Sequence, residues 1–185
     1  VLRADLKTIL KGIKKPDGDT YDIYDDGLKI YTTINPRMQV YAEEAIAEWM
    51  PTMQKYLNST GNIKNGTVWN EYKNVIDAAM KNSDRWANMK DDGFSDEEIK
   101  RAFNKKVPMR VFAWNAKREK DTVMSPYDSI KYHKQVMQAS FMAMDPVTGE
   151  IKAWVGGVDF KTFKYDHVNL KTKRQVGSSI KPFLY

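Results

Sequence analysis

Cysteine is absent from this chain of 185 residues, which excludes thiol catalysis, disulfides and cysteine-ligated metals. That absence leaves the compartment unread. Histidine is scarce, and His133 and His167 have no partner at metal-ligand spacing. No apolar run approaches the roughly 20 residues needed to span a bilayer. The opening, VLRADLKTIL, has neither an initiator methionine nor the charged-then-apolar layout of a signal peptide, so it reads as an internal piece of a longer protein. Zinc-finger, RNP and helix-turn-helix signatures are missing, and the carriers of the net charge of +6 are mixed with acids along most of the chain. Solvated lysines account for that charge better than nucleic-acid binding does. There is no internal repeat and no low-complexity tract. What is present, 42% hydrophobic and 29% charged residues, suits one medium folded domain or two small ones.

The chain up to about Gly27 ends in KKPDGDTYDIYDDG, a connector rich in proline, glycine and aspartate. LKIYTTI follows, with Leu28, Ile30, Thr32 and Ile34 alternating onto one face, and reads as a strand. In NPRMQVYAEEAIAEWM, Asn35 suits a helix cap and Pro36 the first helical position. Met38, Tyr41, Ala42, Ala45, Ile46, Trp49 and Met50 then mark one buried helix face. Residues 51–66 read as a helix break and a polar loop. Helical patterning returns from Thr67 to about Lys90, with Tyr72, Val75, Ile76, Ala79 and Met80 as its stripe. SDEEIKRAFN carries a capping box, Ser95 with Glu98. VPMRVFAWN reads as a strand, and SPYDSIKYHKQVMQ as a helix capped by Ser125. QASFMAMDPVTGEIKAWVGG reads as two strands joined by a tight turn at Asp145 to Gly149, where glycine supplies a positive φ.

The last twelve residues, RQVGSSIKPFLY, hold the most chemical feature. A Ser-x-x-Lys match arises about once by chance in a chain of this length. Its plain reading is a helix cap at Ser178 or Ser179 followed by a solvated Lys181. Its chemical reading uses the same spacing. Residues three apart share a helix face, so Ser178 and Lys181 come within reach of each other. Gly177 permits a sharp turn that exposes the serine, whose backbone N–H then faces a developing oxyanion. A lysine shielded from water, or set among other cations, can lose its proton and take one from serine. Pro182 fits only if the helix begins close by.

Three blocks favour the chemical reading. RQVGSSIKPFLY resembles the Arg-Gln-x-Gly-Ser-x-x-Lys-Pro-Phe block of the penicillin-binding proteins, whose signature also includes Ser-Asp-Asn and Lys-Thr-Gly. MDPVTGEIKAWVGG is similar to the strand-turn-strand that opens their transpeptidase domain. DGLKIYTTINPRMQVYAEEAI resembles the segment that follows the glycosyltransferase domain in class A, bifunctional members. The resemblance is strong at both ends, while residues 51–124 match only as the variable linker between catalytic domains. Neither Ser-x-Asn nor Lys-Thr-Gly occurs here, so the expected unit is a truncated one.

That resemblance implies an α+β fold: a mostly helical linker region with short strands, plus an incomplete antiparallel sheet and a nucleophile helix. Residues 1–26 would be a connector after a glycosyltransferase domain, 27–138 the interdomain linker region, and 139–185 the first part of the transpeptidase domain. Ser178 would be the acyl-accepting nucleophile and Lys181 its general base. No metal or cofactor is implied. Peptidoglycan stem peptides and β-lactams are the implied partners, with cell-wall synthesis or division proteins as further candidates. The parent protein is expected to be anchored in the cytoplasmic membrane with this part outside it, and the chain alone is expected to be inactive. A β-lactamase or D-Ala-D-Ala carboxypeptidase shares the nucleophile pair, although GLKIYTTI argues against both. A non-catalytic linker or docking module is the rival from another class.

Other residues invite simpler readings. Asp96, Glu97 and Glu98 suit the positive end of a helix dipole better than paired carboxylate catalysis. Lys161, Lys164, Lys171, Lys173 and Arg174 form a basic approach to Ser178 that either steers an anionic peptide or is a solvated face. Trp49, Trp69, Trp86, Trp114 and Trp154 are expected as core anchors.

Overall fold

A cap at Asn35 begins the element from which the other parts of the fold hang. The computed structural model describes residues 2–169, 172–173 and 175–184. After a short helix α1 (Leu2–Leu10), the side-chain oxygen of Asn35 accepts from the N–H groups of Arg37 and Met38. Helix α2 then runs from Pro36 to Ser59.

The break expected at residue 51 is not there. Pro51 removes the bond to the carbonyl of Ala47, yet α2 continues through it. Tertiary bonds hold the second half in place of that lost bond. The buried side chain of Gln54 donates to the Gln135 carbonyl at 3.1 Å and accepts from the Met137 N–H at 2.8 Å. Asn58 accepts from both Gln54 and Gln135, which completes a polar knot between α2 and the chain leaving α8 (Pro126–Gln135).

Between these two helices lie α3 (Gly61–Lys64), α4 (Val68–Glu71), α5 (Lys73–Lys81), α6 (Asp84–Asp91) and α7 (Asp96–Asn104). The helical patterning read from Thr67 to about Lys90 is divided at Tyr72 and again at Asn82–Ser83, where Ser83 accepts from the Trp86 N–H to cap α6. Tyr72 and Val75 are exposed, so only Ile76 and Met80 of that stripe are buried. Met80 joins Trp86, Ile99 and Phe103 in one core, against which Tyr127 and Ile130 of α8 pack. Ser95 and Glu98 form the expected capping box at the start of α7.

Strand β1 (Val107–Phe112) forms as expected and pairs antiparallel with β2 (Glu119–Met124), in register from Val107 opposite Met124 to Phe112 opposite Glu119. β2 is polar enough to escape a hydrophobic pattern; its partner strand and the Arg110–Asp121 pair organise it. His133 joins α8 to this hairpin. Its Nδ1 donates to the Ser129 carbonyl at 2.8 Å, which leaves Nε2 to accept from the Phe112 N–H at 3.4 Å.

The second hairpin, β3 (Phe141–Met144) and β4 (Ile151–Val155), also follows expectation, with a bulge between Ala143 and Met144. Its turn is fixed by Asp145, which accepts from the N–H groups of Thr148 and Val147; those bonds hold its carboxyl below the usual range. Gly149 sits at φ +74°, the conformation the turn requires.

Two expectations fail around this hairpin. Leu28–Ile34 forms no strand. Thr33 Oγ1 donates to the Ile151 carbonyl and the Asn35 N–H to the Lys152 carbonyl, so the segment touches the free edge of β4 only at its end. A side chain of α2, described below, occupies the next position along that edge. The apolar face of α2 is also only partly covered. Ala42 is buried against Ala153 and Val155, but Tyr41 is 63% exposed and Trp49 60%. A two-stranded sheet is too narrow to cover the whole stripe. Trp49 is therefore no core anchor here, while Trp86 is buried.

The result is an α+β fold, with two small antiparallel sheets among the described residues. Replacing Gln54 with alanine strands the N–H of Met137 and the carbonyl of Gln135. Such groups are expensive to leave unmade, so Gln54→Ala should destabilise the chain by about 2–4 kcal/mol in urea melts. A loss no larger than that of Lys55→Ala on the exposed side of α2 would refute the latch.

Candidate active site

Gly177 takes φ +52°, a conformation that side chains with a Cβ rarely adopt, and turns the chain into a short 3₁₀ helix, Gly177–Phe183. An α-helix was the expectation. Pro182 lies inside this helix and brings no N–H to it. The change preserves the geometry that matters, because residues three apart eclipse each other in a 3₁₀ helix. Ser178 and Lys181 therefore share one face, both exposed.

The two serines are not equivalent. Ser179 turns its hydroxyl back onto the Val176 carbonyl at 2.5 Å. The Ser178 hydroxyl has no hydrogen-bond partner among the described residues, and no side-chain bond joins it to Lys181. The pair lies side by side without being engaged. Of the basic approach, Lys161 is tied to Glu119 at 3.3 Å, Lys164 and Lys173 are exposed, and Lys171 and Arg174 lie outside the described residues.

The path from β4 to this turn is built on residues that sequence patterns did not single out. The carboxamide of Gln39, on the first turns of α2, donates to the Trp154 carbonyl at 3.0 Å and accepts from the Trp154 N–H at 2.8 Å. It thus pairs with the free edge of β4 as a neighbouring strand would. The Trp154 indole N–H donates to Asp166 at 3.0 Å. The other carboxylate oxygen of Asp166 accepts from the Val168 N–H at 2.9 Å, and its carbonyl accepts from the Thr172 hydroxyl and the Asn169 amide. The His167 N–H returns to the Gly156 carbonyl at 2.8 Å. Phe163 of the same stretch packs on Phe112, with ring centroids 5.3 Å apart, and so fastens it to the first hairpin.

Gly156 permits this closeness. A Cβ there would stand 2.6 Å from an Asp166 carboxylate oxygen and 3.4 Å from the Asp166 Cα. The paired glycines after β4 were a visible signal, since a glycine ending a strand often marks close backbone approach. Gln39 and Asp166 gave none, because a polar residue at a helix surface or in a loop has no pattern to break.

His133 and His167 act structurally, the first as described and the second stacked edge-on against Tyr165 at 4.9 Å. Asp96 pairs with Lys90, and Glu98 completes the capping box. No group of metal-ligating side chains gathers among the described residues. No helix among them is long and apolar enough to cross a membrane.

Comparison with known proteins agrees with the motif blocks. Residues 64–137 match the family described as penicillin-binding protein middle domain. Penicillin-binding protein 1A of Rickettsia typhi is 28% identical over 183 residues, covering 89% of this chain and 23% of that protein. Penicillin-binding protein 1A of Vibrio cholerae is 48% identical over 46 residues, 25% of this chain and 6% of that protein. Penicillin-binding protein 2D of Bacillus subtilis is 45% identical over 49 residues, 26% of this chain and 7% of that protein. The chain thus spans about a quarter or less of the length of these relatives. No solved structure matches it significantly. The chain is thus similar to a segment of penicillin-binding protein 1A, and its central part to a penicillin-binding protein middle domain.

Because Asp166 is pinned from two sides, it cannot yield to a new methyl group. Gly156→Ala should cost about 1–3 kcal/mol and loosen residues 163–169, read as faster amide exchange at His167 and Val168. Unchanged exchange at both amides would show that the close approach carries no weight.

Proposed function

We propose that this 1A-like segment belongs to a serine D,D-transpeptidase that cross-links peptidoglycan stem peptides. The observation that carries the reading is the turn at Gly177, which presents a bare, exposed Ser178 hydroxyl on the same face as Lys181. Residues 139–185 form the start of the transpeptidase domain, 27–138 the linker region between catalytic domains, and 1–26 the connector before it.

The chemistry follows from those two side chains. The Lys181 amine takes the Ser178 hydroxyl proton as Oγ attacks the carbonyl of the D-Ala-D-Ala bond. The tetrahedral oxyanion is met by the Ser178 N–H at the sharp turn and by a second donor from elsewhere in the longer protein. As the intermediate collapses, the lysine ammonium returns its proton to the leaving amine, and D-Ala departs. The ester left on Ser178 is then attacked by the amine of a neighbouring stem peptide, which forms the cross-link and frees the serine. A β-lactam acylates the same oxygen by opening its ring.

The second serine and the Lys-Thr-Gly strand belong to parts of the longer protein beyond this segment, so the segment alone does not turn over. The longer protein sits at the cytoplasmic membrane with these residues on its outer side. It meets stem peptides and β-lactams there, and cell-wall synthesis or division proteins are its macromolecular partners.

Labelled penicillin tests this on the longer protein. A stoichiometric adduct on Ser178 is expected, lost in Ser178→Ala and formed about a hundred- to ten-thousandfold more slowly in Lys181→Ala. The segment alone should give no adduct. Undiminished acylation of the Ser178→Ala protein would refute the assignment, and stoichiometric acylation of the segment would refute its inactivity.

A further inference from the structure

Between α5, α7 and α8 the surface opens into a pocket of about 530 Å³ lined by Lys73, Asp77, Lys81, Lys100, Asn104 and Tyr127. The acid within it is already engaged. Asp77 accepts from Lys73 Nζ at 2.6 Å and from the Tyr127 hydroxyl at 3.1 Å. Those donors, the ammonium foremost, hold its carboxyl below the usual range. Lys81 and Lys100 have no ion-pair partner among the described residues. Both also help Lys90, which is bonded to Asp96, to hold that carboxyl below the usual range. Lys81 also acts on Asp77. The lining itself carries Lys73, Lys81 and Lys100 against Asp77, three positive charges to one negative. One N–H of the Asn104 amide donates to the Lys100 carbonyl at 2.8 Å, and the other remains to donate.

We propose that this pocket is a second, non-catalytic binding site for a ligand bearing two or more anionic oxygen groups. The pocket is larger than a single carboxylate or phosphate needs, and its two unpaired ammonium groups match two such charges. No arginine lines it, so recognition is by point charge rather than by a planar fork. The Tyr127 hydroxyl is already given to Asp77, and the ligand is held without being altered. On the proposed function, and resting on it for the ligand's source alone, carboxylate-bearing stem peptides are the occupant. The site then holds an acidic strand on the middle domain, apart from Ser178.

Titration of the chain with tricarballylate, and separately with inorganic pyrophosphate, tests the site at low salt. Binding is read by calorimetry and by the Asn104 side-chain amide signal in NMR. Saturable binding is expected, weakened by about tenfold in the Lys81→Gln/Lys100→Gln variant and unchanged in Lys55→Gln. Added salt should weaken it further. Both replaced lysines are exposed, and an unaltered urea melt verifies the fold. Tighter binding of tricarballylate assigns the site to carboxylated peptides, and tighter binding of pyrophosphate to phosphate-bearing polymers or lipids; either supports an anion site. No saturable binding of either probe up to about 50 mM, or equal affinity in the double variant, overturns it. Neither readout involves acylation of Ser178, so this result and the penicillin result fail independently.

Discussion

The carboxamide of Gln39 closes the edge of β4, and the approach to the Gly177 turn depends on that closure. A two-stranded hairpin is marginal by itself in water. Here its exposed edge is occupied in turn by the Asn35 N–H at Lys152 and by both polar ends of Gln39 at Trp154. The helix thereby takes the place of a third strand beside β4 while its apolar face packs on Ala153 and Val155. Trp154 passes the constraint onward. Its backbone is fixed by Gln39 and its indole by Asp166, and Asp166 accepts from Val168, Asn169 and Thr172 a few positions before Gly177.

Helix α2 makes the same kind of contact a second time. Gln54 meets the backbone of Gln135 and Met137 as Gln39 meets Trp154, four turns apart on one helix. One glutamine fastens the hairpin that leads to Ser178, and the other fastens the end of the middle region. Pro51, between them, weakens the local ladder, so the helix holds together by what it binds at each end. The two parts of the chain are coupled through this helix and through Phe163 lying on Phe112.

The helix caps, the capping box, β1 and the β3–β4 hairpin were legible in the sequence because each rests on local rules. Asn35, Ser95, Ser125 and Gly149 act on groups within a few residues of themselves. The strand read at Leu28–Ile34 failed because alternation describes a face and says nothing of an available edge. The break read at Pro51 failed because the missing bond is offset by contacts with residues about 80 positions away. The buried face assigned to α2 failed at Tyr41 and Trp49, since a helix stripe records what could be covered and not the width of the sheet that covers it. At the candidate site the residue types and the spacing of Ser178 and Lys181 were readable, while the supporting Gln39, Gly156 and Asp166 are defined by long-range approach alone.

Amide exchange at Trp154 tests the closure most directly. In Gln39→Ala the Trp154 N–H loses its acceptor, and its exchange should quicken by about tenfold or more, with Val168 following as Asp166 loosens. Exchange at Phe112, bonded instead to His133, should stay unchanged. Equal protection of Trp154 with and without Gln39 would contradict the account, because the edge of β4 would then be closed by something other than this helix.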